Sequence, residues 1–194
     1  EKKVPEAIKR NLEAKFHYND PLSKQYVDYL ADVFLRFDFR ASMKLEDYTV
    51  NEVIEQGFPV SASLGIFALL FAVVFGTTAG VISASYRNSI IDVGFMGAAT
   101  IGIAIPNFWF AMLLTLVFSV TFRLLPAGGF AGWDAGILPA FKSLVLPTIA
   151  LALPQAAILA RVTRSALLEV LKEDFIRTAR AKGVNNQGTL WKHA

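Results

Sequence analysis

Charge disappears from this chain for long stretches and returns in clusters. No Asp, Glu, Lys or Arg occurs from Gln56 to Tyr86 (31 residues), from Val93 to Phe122 (30 residues) or from Ser143 to Ala160 (18 residues). A helix crossing the hydrocarbon of a bilayer needs roughly 20 mostly apolar residues. The first two runs meet that length outright. The third meets it if Arg161 reaches the interface on its long apolar stem. Such runs, the first two joined only by Arg87–Asp92, argue against buried helices of a soluble core. The pattern predicts an all-α, polytopic helical membrane protein with spans at about 60–86, 93–122 and 143–167.

The connections refine this picture. The turn 87–92 is short enough to make spans one and two antiparallel neighbours. The loop 123–142 carries Pro126, Gly128, Gly129, Gly132 and Gly136, the composition of irregular backbone. Trp133, with Phe130 and Phe141 nearby, suits the headgroup level of a membrane. Lysine and arginine set the orientation: seven lie between Arg161 and Lys192, against two in the loop 123–142. The segment 168–194 and the turn 87–92 are therefore expected in the cytoplasm, and 123–142 and 1–58 outside.

Small residues and prolines are spaced within the spans. Gly76 and Gly80 form a small-xxx-small pair in span one, and Gly94, Gly97 and Gly102 thin span two, a pattern that permits close helix approach. Pro106 in span two, and Pro147 and Pro154 in span three, each remove a backbone donor and are expected to kink their helices. Asn107 and Gln155 are the polar side chains at membrane depth. Each serves either a single interhelical hydrogen bond or a pathway for cargo.

Residues 1–58 differ in kind, holding 20 of the 35 ionised side chains. Pro5–Phe16 shows helical spacing of apolar residues. Asp20-Pro21 reads as a helix start with Asp20 as cap, followed by a stripe of Tyr26, Val27, Leu30, Val33, Phe34 and Phe37. Asp47 is a candidate cap for a further short helix through Val50, Val53 and Ile54 leading into span one. The segment is too short to bury a large core alone and reads as a helical cap on the outer face. The remainder, 59–194, is the transmembrane domain.

Composition excludes several classes. The net charge is only +3 and no Lys/Arg stripe is interleaved with exposed aromatics, so nucleic acid is not an expected partner. There is no cysteine, hence no disulfide framework or thiolate metal site. No Gly-x-x-x-x-Gly-Lys-Ser/Thr stretch occurs, so no nucleotide site is expected in this chain. His17 and His193 are far apart, and no Ser/His/Asp constellation assembles on one side of the membrane. No initiating Met and no signal peptide are in view, and the chain reads as a fragment of a longer protein.

The segment after span three carries the strongest functional pattern. Asp174 suits the cap of a short helix with Glu173 beside it at the positive helix end, Arg180 and Lys182 fall in its last turn, and Gly183 suits a left-handed terminal cap. Ile176, Ala179 and Gly183 lie near one face with Phe175 beside them. Such a helix is either a lever whose small-residue face nests in a partner's groove, with Arg177 and Arg180 reaching acids on the rim, or a basic helix attracted to anionic lipid.

Arg177-Thr-Ala-Arg-Ala-Lys-Gly183 resembles the Glu-Ala-Ala-x-x-x-Gly cytoplasmic loop of ABC importer permeases. It keeps Ala179 and Gly183 and has Arg177 and Thr178 in place of Glu and Ala, the form of peptide-type permeases. Asp20-Pro-Leu-Ser-Lys-Gln-Tyr26, Asp47-Tyr-Thr-Val-Asn51, Phe58-Pro-Val-Ser61, Leu125-Pro-Ala-Gly-Gly129 and Arg164-Ser-Ala-Leu-Leu-Glu-Val-Leu171 are similar to the B-type permease of bacterial oligopeptide importers. The resemblance covers essentially the whole chain. It implies a type I ABC permease fold in the bacterial inner membrane, with one further helix before Glu1, about two after Ala194, and an Ile-x-Leu-Pro continuation beyond the end. It implies a second homologous permease, two cytoplasmic ATPases that carry ATP and Mg, an external peptide-binding protein and membrane lipid as partners. It makes Asp174, Phe175, Arg177, Thr178, Ala179, Arg180, Lys182 and Gly183 the surface that couples to the ATPase. The alternatives are a permease for dipeptides, nickel or another small solute and, in a different class, a membrane scaffold or receptor without transport.

Overall fold

The computed structural model describes residues 20–42, 44–45, 48–185 and 188–189. The expected helix Pro5–Phe16, both histidines, Asp47 and Lys192 lie outside the described residues. The chain divides into two compact units, Glu1–Pro59 and Val60–Ala194.

In the first unit, helix α1 (Leu22–Ala31) runs into a π-helical turn, Asp32–Arg36. The turn ends where Phe37 takes a left-handed conformation, φ 53°. The chain then doubles back through an antiparallel bridge between Ala41 and Thr49, closed by Ser42 N–H donating to Tyr48 O and Val50 N–H donating to Arg40 O, both 2.9 Å. Asn51 holds the bend from the side: its Oδ1 accepts from Phe39 N–H (2.8 Å) and its Nδ2 donates to Phe37 O (2.6 Å). Two expectations, both about caps, need correction. Asp20 is not the cap of α1: Pro21 occupies the capping position, and the Asp20 carboxylate accepts from Lys24 Nζ at 3.0 Å. The stripe from Tyr26 onward lies uncovered along α1, where no residue is buried. The next helix starts with a reciprocal cap rather than a lone acid: Thr49 N–H donates to Glu52 Oε2 (2.7 Å) and Glu52 N–H to Thr49 Oγ1 (3.2 Å).

From that cap, α2 runs unbroken from Val50 to Ser85, with Pro59 inside it. The second unit comprises α2 from Val60 onward, α3 (Ile90–Ala104), α4 (Asn107–Leu114, prolonged by a π-helical turn Thr115–Thr121), α5 (Ile137–Val170) and α6 (Asp174–Ala181). Helices α2 and α5 are each long and apolar enough to cross a membrane, and α3 with α4 makes a third candidate bent by 105°. The second apolar run is therefore not one rod. Pro106 brings no N–H to the ladder and forces Ile105 into extended backbone, φ −80°, ψ 127°, so the helix stops and restarts. By contrast, α5 continues helically through Pro147 and Pro154.

Small residues decide which helix faces meet. Ala68, Ala72, Gly76, Gly80 and Ala84 recur every fourth position of α2 and are buried. On α5, Ala152, Ala156 and Ala160 are buried likewise. A Cβ on Gly76 would lie 2.6 Å from Ala156 O, and one on Gly80 2.6 Å from Ala160 O, so the helix backbones approach to a distance only glycine allows. Gly102 of α3 faces Leu153 and Ala157 of α5, but a Cβ on Gly94 or Gly97 would meet nothing within 4 Å; those two do not mediate packing among the described residues. Toward the other end, Leu114 packs with Leu146 and Ala150, flanked by Phe110 and Leu125.

Candidate functional site

The two ends of the second unit are built differently. At one end the loop 123–136 folds onto α2 and the start of α5 through aromatic rings. Trp133 stacks edge-on with Phe130 and Phe141, at 5.7 and 5.8 Å, and Phe67 lies 5.0 Å from Phe141. The indole N–H of Trp133 donates to Ser63 Oγ at 3.0 Å. Beside this cluster, Leu64, Thr115, Gly128, Gly129, Ser143 and Pro147 help line a cavity of about 280 Å³. A second groove of about 430 Å³, apolar but for Thr148, runs between α2 and α5 past Phe67, Phe71, Phe75, Phe141 and Val145. Thr148 Oγ1 is buried at its wall without a hydrogen-bond partner among the described residues.

At the opposite end the fastening is ionic. After α2 the chain turns at Tyr86–Ser89, and Ser89 caps α3 by accepting from Asp92 N–H. The Asp92 carboxylate reaches back to accept from Asn88 N–H (2.9 Å) and from the Ser83 hydroxyl of α2. Arg164 of α5 then closes on it with two parallel bonds, Nε to Oδ1 and Nη2 to Oδ2, both 2.7 Å. Asp92 is 3% exposed. Three elements thus converge on one carboxylate. The sequence carried a signal for it: Asp92 is the only acid between Glu55 and Asp134, and an acid at the edge of an apolar run needs a cationic partner.

Six residues beyond Arg164, α5 ends and a tight turn leads to α6. Lys172 N–H donates to Glu169 O and Glu173 N–H to Val170 O, both 3.0 Å. Asp174 is not the cap: Glu173 holds that position with extended backbone and makes no side-chain capping bond, while Asp174 is the first helical residue and pairs with Arg177 at 3.2 Å. The far end closes as Gly183 was expected to close it, with φ +85°. Gly183 N–H donates to Arg180 O (2.9 Å) and Val184 N–H to Ala179 O (3.2 Å), the paired bonds of a left-handed helix stop. Ile176 and Ala179 are 0% and 8% exposed. Of the face expected to enter a partner's groove, Ile176 and Ala179 are thus already covered by this chain, while Gly183 stays exposed. The free surface of α6 consists of Asp174, Phe175, Arg177, Thr178 and Arg180, continued by Lys182 and Gly183, with Phe175 54% exposed.

Asn107 and Gln155 are both exposed, and neither side chain makes a hydrogen bond among the described residues, so the interhelical bond that either was expected to form is absent there. Asn107 opens α4 directly after the 105° break. The described residues hold no cluster of three or more His, Cys, Asp or Glu side chains suited to a metal.

The profile of the binding-protein-dependent transport system inner membrane component family matches residues 76–194, which takes in Ser83, Asp92, Arg164 and the whole of α6. The chain belongs to that family. Along all 194 residues it is 45% identical to the oligopeptide transport system permease protein OppB of Salmonella typhimurium and 43% identical to that of Escherichia coli K12. It is also 45% identical to the dipeptide transport system permease protein DppB of Bacillus subtilis. It spans 60–61% of the length of these curated relatives. As a family member it is an inner-membrane component, and its architecture is helical throughout α1–α6.

Proposed function

We propose that this chain acts as a permease subunit of an ATP-driven, binding-protein-dependent importer and helps form the pathway for oligopeptides across the inner membrane. The observation that carries the reading is the likeness to named oligopeptide permeases along the entire chain. In this reading α6 meets a cytoplasmic ATPase with Phe175, Arg177, Thr178, Arg180 and Lys182, while Ile176 and Ala179 seat it on its own subunit. A second homologous permease completes the pathway, and an external binding protein delivers peptide on the side of residues 1–58 and 123–142. ATP and Mg bind the partner ATPases. The excess of lysine and arginine from Arg161 onward supports a cytoplasmic 168–194 and 87–92. Asn107 and Gln155, exposed at membrane depth, are the pathway candidates. Binding of ATP drives the cycle only if it favours one conformation of the complex over the other.

The relative named for dipeptides matches at the same 45% as the first named for oligopeptides, so a permease for dipeptides is the second reading. The test is the reconstituted complete complex carrying Arg180→Glu or Gly183→Trp. Arg180 is exposed, so reversing its charge leaves the fold intact. Gly183 holds a conformation that side chains strain. Assembly is expected to survive in Arg180→Glu while binding-protein-stimulated ATP hydrolysis and peptide uptake fall together. A parental complex that moves no peptide refutes the importer reading. Variants that match a working parent refute only the role of α6.

A further inference from the structure

We propose that Ser83, Asp92 and Arg164 form a rigid strap that carries displacement of α6 into the membrane helices, so that α2, α3 and α5 move as one body at this end. The proposal rests on the importer reading above. Asp92 and Arg164 are positioning residues, since they act through α6 and the membrane helices rather than on cargo or nucleotide.

The geometry is specific to that task. A single hydrogen bond fixes a distance, but two parallel bonds from a guanidinium to a carboxylate also fix an angle. Arg164 therefore resists both sliding and rotation of α5 against the start of α3. Ser83 extends the hold to α2, and Asn88 N–H locks the turn between them. The burial of Asp92 matters as much as geometry, because a buried carboxylate cannot trade its bonds for water at low cost. One turn away, the Gly80 backbone lies against Ala160 and Thr163, so the strap ends a seam that already lacks slack. On its other side, the hydrogen-bonded turn 171–173 and the buried Ile176 leave little play between Arg164 and α6. Packed helices joined by apolar contacts alone shear past one another by an ångström or two. The strap removes that freedom at the point where the lever enters.

These 194 residues hold no cysteine, and with any cysteine elsewhere in the complex replaced the test is clean. Asp92→Cys with Arg164→Cys removes both charges at once, leaving no orphaned ion in the bundle. In the complete complex, with partner subunits cleared of cysteine, the quantity to read is ATP hydrolysed per peptide moved, normalised to assembled complex. It is expected to rise roughly tenfold, the scale of an ordinary coupling free energy between sites. A short thiol-specific cross-linker bridging the two cysteines is expected to bring it back toward the parental value. Arg164→Lys keeps the charge without the two-point geometry, and the ratio is expected to rise by less. An unchanged ratio in Arg164→Lys and in the double variant overturns the proposal, even where the amount of assembled complex falls, because that is the mark of a structural role alone. A bridged complex that transports worse than the unbridged one also overturns it, because the pair would then have to open in each cycle. A parental complex that moves no peptide instead refutes the importer reading.

Discussion

Asp92 receives Arg164 on both of its oxygens from 72 positions away in the sequence, whereas Asp32 receives two nitrogens of Arg40 on one oxygen from 8 positions away. The ingredients are the same and the acids differ in exposure: the Asp92 side chain is 5% exposed against 18% for Asp32, while Arg164 and Arg40 are alike at 23% and 21%. Arg36 adds a bond to the other oxygen of Asp32, and the Arg40 guanidinium also lies 5.6 Å over the Tyr29 ring. The local pair shapes one bend of the chain. The distant pair fixes where three helices end. What separates them is the length of chain that each contact closes and the water each excludes, rather than the strength of any one hydrogen bond.

The widest separation between the two pairs is expected on removing one arginine. Arg164→Ala leaves a carboxylate inside the bundle without its cation, and the solubilised complex is expected to melt about 10 °C lower, the scale for breaking a buried pair. Arg40→Ala leaves Asp32 partly buried but still paired with Arg36 and within reach of water, and the melting temperature is expected to move less. Thermal unfolding followed by size-exclusion yield reads both. Equal losses would break the distinction between a buried tie and a local one.

A second contrast sharpens the claim that the strap closes a seam without slack. Gly80→Ala places a Cβ 2.6 Å from the Ala160 carbonyl and 2.6 Å from Thr163 Cβ, neither the far end of a flexible chain. Overpacking of this sort costs about 1–3 kcal/mol. Gly65→Ala, on the same helix, meets nothing within 4 Å and is expected to be neutral or slightly stabilising through helix propensity. Unfolding midpoints of the two variants in the same detergent decide the matter. If Gly80→Ala is harmless, α2 and α5 have more freedom than the glycine spacing implies.

Much of this was legible in the sequence and some was not, for identifiable reasons. The charge-free runs and the Gly76–Gly80 spacing announced α2, α5 and their close approach, because length and side-chain size are local properties. Pro106 announced a disturbance, but not that the helix axis would turn through 105°, which depends on how α3 and α4 each pack on α5. Gly183 was readable as a helix stop because a left-handed position selects glycine. The face of α6 was misjudged for the opposite reason: periodicity grouped Ile176 with Ala179 without saying whether their cover came from this chain or a partner. Asp92 and Arg164 were each conspicuous, and nothing local joined them. Which cation meets a lone acid is set by tertiary folding across 72 positions. The stripe on α1 was legible as a period, and a pattern states which side is apolar, not that anything lies on it: no residue of α1 is buried.

The smallest expected effect is also the one that best tests how local the Asp32 pair is. Hydrogen bonding from Arg40 holds the Asp32 carboxyl below its ordinary value, partly opposed by desolvation and helped by the charges of Arg40 and Arg36. A carboxyl whose folded value is depressed stabilises the fold fully above its unfolded pKa of about 4 and loses that contribution as pH falls through the folded value. The bend in the first unit should therefore be indifferent to pH from 8 down to about 5 and loosen only below about 4. Asp32→Asn should abolish the acid-side change while leaving behaviour at neutral pH nearly as it was, because the amide oxygen still accepts from Arg40. Amide hydrogen exchange of the segment 37–42, measured in the complete complex across that range, reads the bend directly. Loosening already at pH 6 would mean that some group other than Asp32 governs it. A response that spreads from this segment into the second unit would mean that the contact is not local, and the contrast with Asp92 and Arg164 would fail.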